Sequence, residues 1–175
     1  MTQRVALFCL LMLPAALVLT PEASAGNLEN GEFTAELNGL KLWYKVSGRG
    51  PVCLMPTPAW GPSSDLYFNT LQPIEKTFTI VYLDTRASGR SQPAKSTKEY
   101  SWDHLVADIE ALRAHLKQDK VWLMGHSEGG EQVLFYVVKH PERVHGLVLL
   151  GSRAAKSPAQ APSSSMGGRL VKPAK

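Results

Sequence analysis

Four apolar residues, Val121-Trp122-Leu123-Met124, run straight into Gly125-His126-Ser127-Glu128-Gly129-Gly130, and a helix-forming stretch continues as far as Pro141. Few local structures accommodate this. The short apolar run reads as a buried strand, and residues 128–140 read as a helix. The chain must therefore reverse direction within a few residues. Glycines on either side of Ser127 remove side chains where strand and helix crowd together. The serine is left at the tip of a tight, strained turn with its hydroxyl clear of the sheet, a layout that presents a nucleophile. The plainer alternative is a glycine-rich turn with a capping serine, and the strand-to-helix setting favours the nucleophile. Gly-x-Ser-x-Gly by itself spans five positions and arises by chance, so the surrounding sequence must carry the argument.

That sequence supplies a sheet. Phe33, Ala35 and Leu37 alternate with polar neighbours. After Asn38-Gly39, Leu40, Leu42, Tyr44 and Val46 do the same, which predicts a β-hairpin closed at Asn-Gly. Further strands are predicted at 51–55, 78–83, 121–124 and 144–150. These are continuous apolar runs, the pattern of a parallel sheet covered on both faces. Helices are predicted between them, over about 64–75, 102–116 and 128–140. In the second, Trp102, Leu105, Val106, Ile109, Leu112 and Leu116 recur every three or four residues. Ser101 is placed to cap that helix, with Asp103 in its first turn. The fold class is α/β, a mostly parallel sheet opened by a hairpin.

The two ends read differently. Residues 1–25 carry Arg4, an apolar run over 5–19 and Ala23-Ser24-Ala25, the layout of a secretory signal peptide. The run is shorter than the roughly 20 residues of a membrane span and contains Pro14, so the expectation is export with cleavage and no stable span afterwards. Cleavage leaves Cys53 as the sole cysteine, which reads as a small buried hydrophobe. The net charge of +4 misleads: residues 26–150 hold 13 Lys/Arg and 14 Asp/Glu, and the basic excess sits in residues 154–175 and Arg153. Residues 154–175 are expected to be a low-complexity tail outside a domain spanning 26–153. No basic face with interleaved aromatics points to nucleic acid. No metal-ligand spacing or phosphate-cradling loop is apparent, so neither metal nor cofactor is expected.

Two more motifs give the turn its context. Asp84-Thr85-Arg86-Ala87-Ser88-Gly89-Arg90-Ser91 resembles the Asp-x-Arg-Gly-x-Gly-x-Ser loop of α/β-hydrolases. With Pro58-Ala59-Trp60-Gly61-Pro62-Ser63-Ser64-Asp65 and the Ser127 turn, it is similar to the subgroup that includes esterases, epoxide hydrolases, dehalogenases and prolyl aminopeptidases. The resemblance covers about residues 32–153, with the motifs in the family's order and intervals. It implies the α/β-hydrolase fold with strand order 1-2-4-3-5-6-7-8, truncated here after about strand six, and a structural role for Asp84 and Arg86. It also implies a serine hydrolase of small ester or amide substrates. Ser127 would be the nucleophile, and Gly125 and Gly129 would shape the turn. Backbone N–H groups of Glu128 and of the Pro-rich loop would form an oxyanion hole. In that loop Pro56, Pro58 and Pro62 have no N–H. Thr57, Ala59, Trp60 and Gly61 are the candidates, with Trp60 preferred and Ala59 second. The usual His-Gly of that loop and the two characteristic motifs of prolyl aminopeptidases are missing, which argues against that peptidase. Ala59 and Ala87 stand where the family commonly has glycine.

A serine needs a histidine base, itself oriented by a carboxylate. After Ser127 the sequence holds only Glu128, Glu131, Glu142, His140 and His145, none of them placed for these roles. Three readings are open: a secreted serine hydrolase crippled in this chain alone, a truncated, frameshifted or binding-only product, or a half completed by a separate chain, of which the sequence gives no positive sign.

Overall fold

The computed structural model describes residues 28–152. The expected signal peptide and basic tail lie outside the described residues. Strands β1 (Gly31–Leu37) and β2 (Leu40–Gly48) form the predicted hairpin, with Leu37 opposite Leu40 and Asn38 and Gly39 both at positive φ. Then come β3 (Val52–Pro56), the short helices α1 (Asp65–Phe68) and α2 (Gln72–Glu75), and β4 (Thr79–Leu83). Helix α3 (Trp102–His115), β5 (Val121–His126), α4 (Glu128–Lys139) and β6 (Val144–Leu150) complete the order. The sheet runs β1-β2-β4-β3-β5-β6, the order that the resemblance implied. Pairs involving β2 are antiparallel and the other three are parallel, so the sheet is mixed.

One element differs from expectation. The stretch 64–75 is not one helix but two single turns. A continuous helix would place Pro73 in its interior, where it lacks a donor and collides with the preceding turn. The chain instead breaks after Phe68 and restarts with Pro73 in the first turn of α2, where no donor is required.

The strands sort their side chains onto two faces. Val52, Leu54, Val81, Leu83, Val121 and Leu123 join Val106, Ile109 and Leu112 of α3 and Val133 and Tyr136 of α4 in one core cluster. Cys53, Met55, Ile80, Tyr82 and Met124 face the other way, against Tyr67 and Leu71. That two-sided coverage explains why these strands read as unbroken apolar runs. Burial pushes the Cys53 thiol up to about 12, so it behaves as an inert hydrophobe. On β6, Val144 and Leu147 pack on the first cluster and Val148 and Leu150 on the second, but all remain partly exposed.

Helices α3 and α4 are joined by a polar knot. Arg113 donates to Glu110 at 2.6 and 2.9 Å, and the Tyr136 hydroxyl donates to Glu110 Oε2 at 2.6 Å. The Arg113 bond, then the Tyr136 bond and the neighbouring charge, hold the Glu110 carboxyl down to about 2 against some opposing desolvation. A depressed carboxylate pKa contributes stability that is complete above the unfolded value of 4.5 and is lost as pH falls towards 2. Urea midpoints measured from pH 6 to pH 2 should therefore fall more steeply for the wild type than for Glu110→Gln, most of the difference arising below about pH 4.5. Parallel curves would exclude the knot as an acid-sensitive element.

Candidate active site

Ser127 lies between β5 and α4 with φ 53° and ψ −122°. A non-glycine residue in this region carries about 1–3 kcal/mol of strain and persists only where its surroundings fix it. Several contacts do so. Ser127 N–H donates to the Leu150 carbonyl at 3.1 Å, Gly130 N–H donates to the Ser127 carbonyl at 3.1 Å, and Ser152 Oγ donates to the Gly125 carbonyl at 3.1 Å. The glycines are required by space. A Cβ on Gly125 would stand 2.5 Å from Gly130 Cα, and one on Gly129 would stand 3.0 Å from the Pro56 carbonyl. Gly125 and Gly129 flank Ser127 on either side of the turn, and Ser127 itself is exposed.

The Pro-rich loop after β3 is pinned from below. Thr57 N–H donates to the Leu83 carbonyl at 2.9 Å, which removes Thr57 from the candidate donors to a substrate. Ser88 Oγ donates to the Pro58 carbonyl at 3.2 Å, and Thr85 N–H donates to Thr57 Oγ1 at 3.1 Å. In a trans peptide the N–H points opposite to the carbonyl of the same unit. Ala59 N–H is therefore directed away from Ser88. Ala59 and Trp60 form a turn, and the Trp60 side chain is 66% exposed.

The loop at 84–91 fixes these neighbours. Asp84, fully buried, accepts from Ser64 N–H at 2.8 Å and Arg90 N–H at 2.9 Å. Arg86, 1% exposed, makes a two-bond pair with Asp108, each bond 2.7 Å. Ala87 takes φ 60°, the left-handed conformation that glycine adopts without penalty, whereas Ala59 is not among the positive-φ residues. Ala87→Gly should therefore raise stability by up to about 1 kcal/mol, while Ala59→Gly should lower it slightly. Thermal denaturation of the two variants checks this, and equal effects would remove the backbone argument.

All five histidines of the sequence fall within the described residues, and each is engaged or placed away from Ser127. His126 Nδ1 lies 3.2 Å from the hydroxyl of Tyr67, which burial holds above the ordinary phenol range. His104 bonds the Ser101 hydroxyl at 2.8 Å, so that predicted cap uses its side chain on another side chain. His115 meets the Tyr44 hydroxyl at 3.2 Å. His140 lies against Tyr136 in a tilted ring contact at the far end of α4, about 20 Å along the helix from Ser127. His145 lies near the start of β6, whose opposite end pairs with His126, about 16 Å along the strand. Among the described residues no group of His, Cys, Asp and Glu is arranged to hold a metal, and no helix is long and apolar enough to cross a membrane.

Sequence patterns did not single out Gln132. It lies on α4 one turn after Gly129 and is completely buried, and its Nε2 donates to the Thr57 carbonyl at 3.0 Å. The available signal was its spacing, since a residue three after Gly129 shares its helix face.

Known proteins place this geometry. A family model described as the alpha/beta hydrolase fold matches residues 54–171. A proline iminopeptidase from Arabidopsis thaliana is 38% identical over 135 residues, covering 73% of this chain and 32% of that protein. An enzyme described as degrading N-acyl homoserine lactones is 28% identical with a TM-score of 0.61, covering 69% of this chain and 45% of that one. An epoxide hydrolase from Vigna radiata is 26% identical with a TM-score of 0.59, covering 69% and 40%. The chain spans less than half the length of the curated relatives it matches. With its sheet order and the Ser127 turn as described, the chain belongs to the α/β-hydrolase fold family.

Proposed function

We propose that Ser127 is the nucleophile of an exported serine hydrolase acting on ester or amide bonds of a small substrate. The observation that carries this is the strained backbone of an exposed serine at the junction of β5 and α4. Such strain is kept where geometry serves chemistry. In this reading the oxyanion of the tetrahedral intermediate is held by Glu128 N–H and by Trp60 N–H, with Ala59 N–H the alternative. Thr57 is excluded because its N–H already serves the sheet. A serine rather than a carboxylate nucleophile separates this chemistry from that of epoxide hydrolases. The missing peptidase motifs weigh towards esters, while relatives described as proline iminopeptidases keep amides within the proposed class. The positions of the five histidines favour a second reading, in which the fold binds a ligand without turnover.

Exogenous imidazole can supply the missing base. Incubation with p-nitrophenyl acetate and imidazole should leave an acetyl group on Ser127, detectable by peptide mass spectrometry and absent in Ser127→Ala. The same trial with prolyl p-nitroanilide separates ester from amide preference. Acetylation at other residues only would favour the binding reading.

A further inference from the structure

We propose that Gln132 is a positioning residue that locks the loop carrying one oxyanion donor to the helix carrying the other; this rests on the serine-hydrolase reading above. Helix α4 begins with Glu128, whose N–H is one donor. The other comes from the turn at Ala59 and Trp60, reached through Thr57 and Pro58. Catalysis by two donors requires a fixed distance between them, because the stabilisation depends on hydrogen bonds aimed at one oxygen. A buried side-chain bond crosses from α4 to residues 56–60: Gln132 Nε2 donates to the Thr57 carbonyl at 3.0 Å. It joins two segments 75 residues apart in sequence. The contact is close by construction, since Gly129, one turn earlier, lets the helix rest on the Pro56 carbonyl.

Stability alone does not explain Gln132. Its Oε1 is buried without a hydrogen-bond partner. Exchanging the amide nitrogen and oxygen would not help, because it would set two oxygens against each other at Thr57. A buried acceptor left unpaired is destabilising. The Thr57 carbonyl would not be orphaned without Gln132 either, for Thr85 Oγ1 also lies 3.4 Å from it in donating geometry. A methionine of similar volume would fill the same space without an unpaired amide oxygen. What it would lose is the link. Thr57 is held to β4 through its N–H and to the 84–91 loop through its hydroxyl, and Gln132 ties it to the helix of the nucleophile.

The test compares the full chain with Gln132→Met and Gln132→Glu, using phenylboronate as a tetrahedral oxyanion probe, with imidazole added to take the Ser127 proton, followed by amide NMR. In the wild type, phenylboronate should shift the Glu128 and Trp60 amide signals, and Ser127→Ala should abolish the shift. Gln132→Met should leave the urea midpoint unchanged, speed exchange of the Thr57 amide about tenfold, and weaken phenylboronate about tenfold. Gln132→Glu should hold the link at pH 5, where burial raises the carboxyl's pKa and its protonated form donates to Thr57, and lose it at pH 8, where the carboxyl ionises. If phenylboronate shifts no amide near Ser127 in the wild type, the hydrolase reading fails and takes the role of Gln132 with it. If the probe binds but Gln132→Met changes neither exchange nor affinity, the positioning role alone is overturned. A Gln132→Met chain destabilised throughout, with Gln132→Glu behaving alike at both pH values, would make Gln132 a packing residue and also overturn it.

Discussion

Mixed with p-nitrophenyl acetate at neutral pH and no added base, this chain and its Ser127→Ala variant are expected to release nitrophenolate at the same rate. The reason is geometric. A serine hydroxyl attacks only when a base takes its proton, and His126, the nearest histidine in sequence, is turned to Tyr67. The remaining four lie on α3, at the far end of α4 or at the start of β6. In serine proteases, loss of the catalytic histidine lowers turnover about 10⁶-fold, and about 10³–10⁴-fold over water survives from the donors and binding alone. Any residual catalysis here should be of that surviving kind and insensitive to Ser127. Steady-state release by the two proteins is sufficient to decide. A Ser127-dependent rate without imidazole would mean that one of the five histidines reaches the serine after all.

The largest stability effect is expected at Asp108. Its carboxylate accepts two bonds from Arg86 and one from Asn38 Nδ2 at 2.9 Å, and both Asp108 and Arg86 are 1% exposed. Asp108→Ala leaves a buried guanidinium with only the Glu99 carbonyl as partner, 2.8 Å away. Stranding one member of a buried ion pair costs about 3–5 kcal/mol. Replacing both members with apolar residues, as in Arg86→Met with Asp108→Leu, should recover most of that loss, because the penalty belongs to the stranded charge. Urea midpoints of Arg86→Met, Asp108→Leu and the double close a thermodynamic cycle. Additive losses would show that the pair is not coupled. The Asp108→Ala chain should also lose order at Pro58, since Arg86 anchors the loop from which Ser88 holds that carbonyl.

Much of this architecture was legible in the residues. Asn38-Gly39 marked the hairpin, and the unbroken apolar runs marked strands covered on both faces, because those patterns arise directly from backbone geometry. The Ser127 turn was legible because its glycines have one steric purpose. Pro73 shows where local reading failed: it split a helix that the apolar spacing alone had joined. The Pro-rich loop after β3 was only half legible. Sequence could exclude the prolines, but the loss of Thr57 depends on β4 lying alongside, a contact between residues 26 positions apart. Gln132 escaped notice because a buried amide on a helix looks like any polar residue until its partner is placed.

The bond from Ser127 N–H to the Leu150 carbonyl has a bearing on assembly. The Ser127 backbone is held in place by the last strand of the described sheet, so the turn cannot reach its final form until β6 has docked beside β5. Among the described residues β6 has a neighbour on one side only. Pairing of β5 with β6 and the backbone strain at Ser127 are thus one structural unit, and loosening the strand loosens the turn.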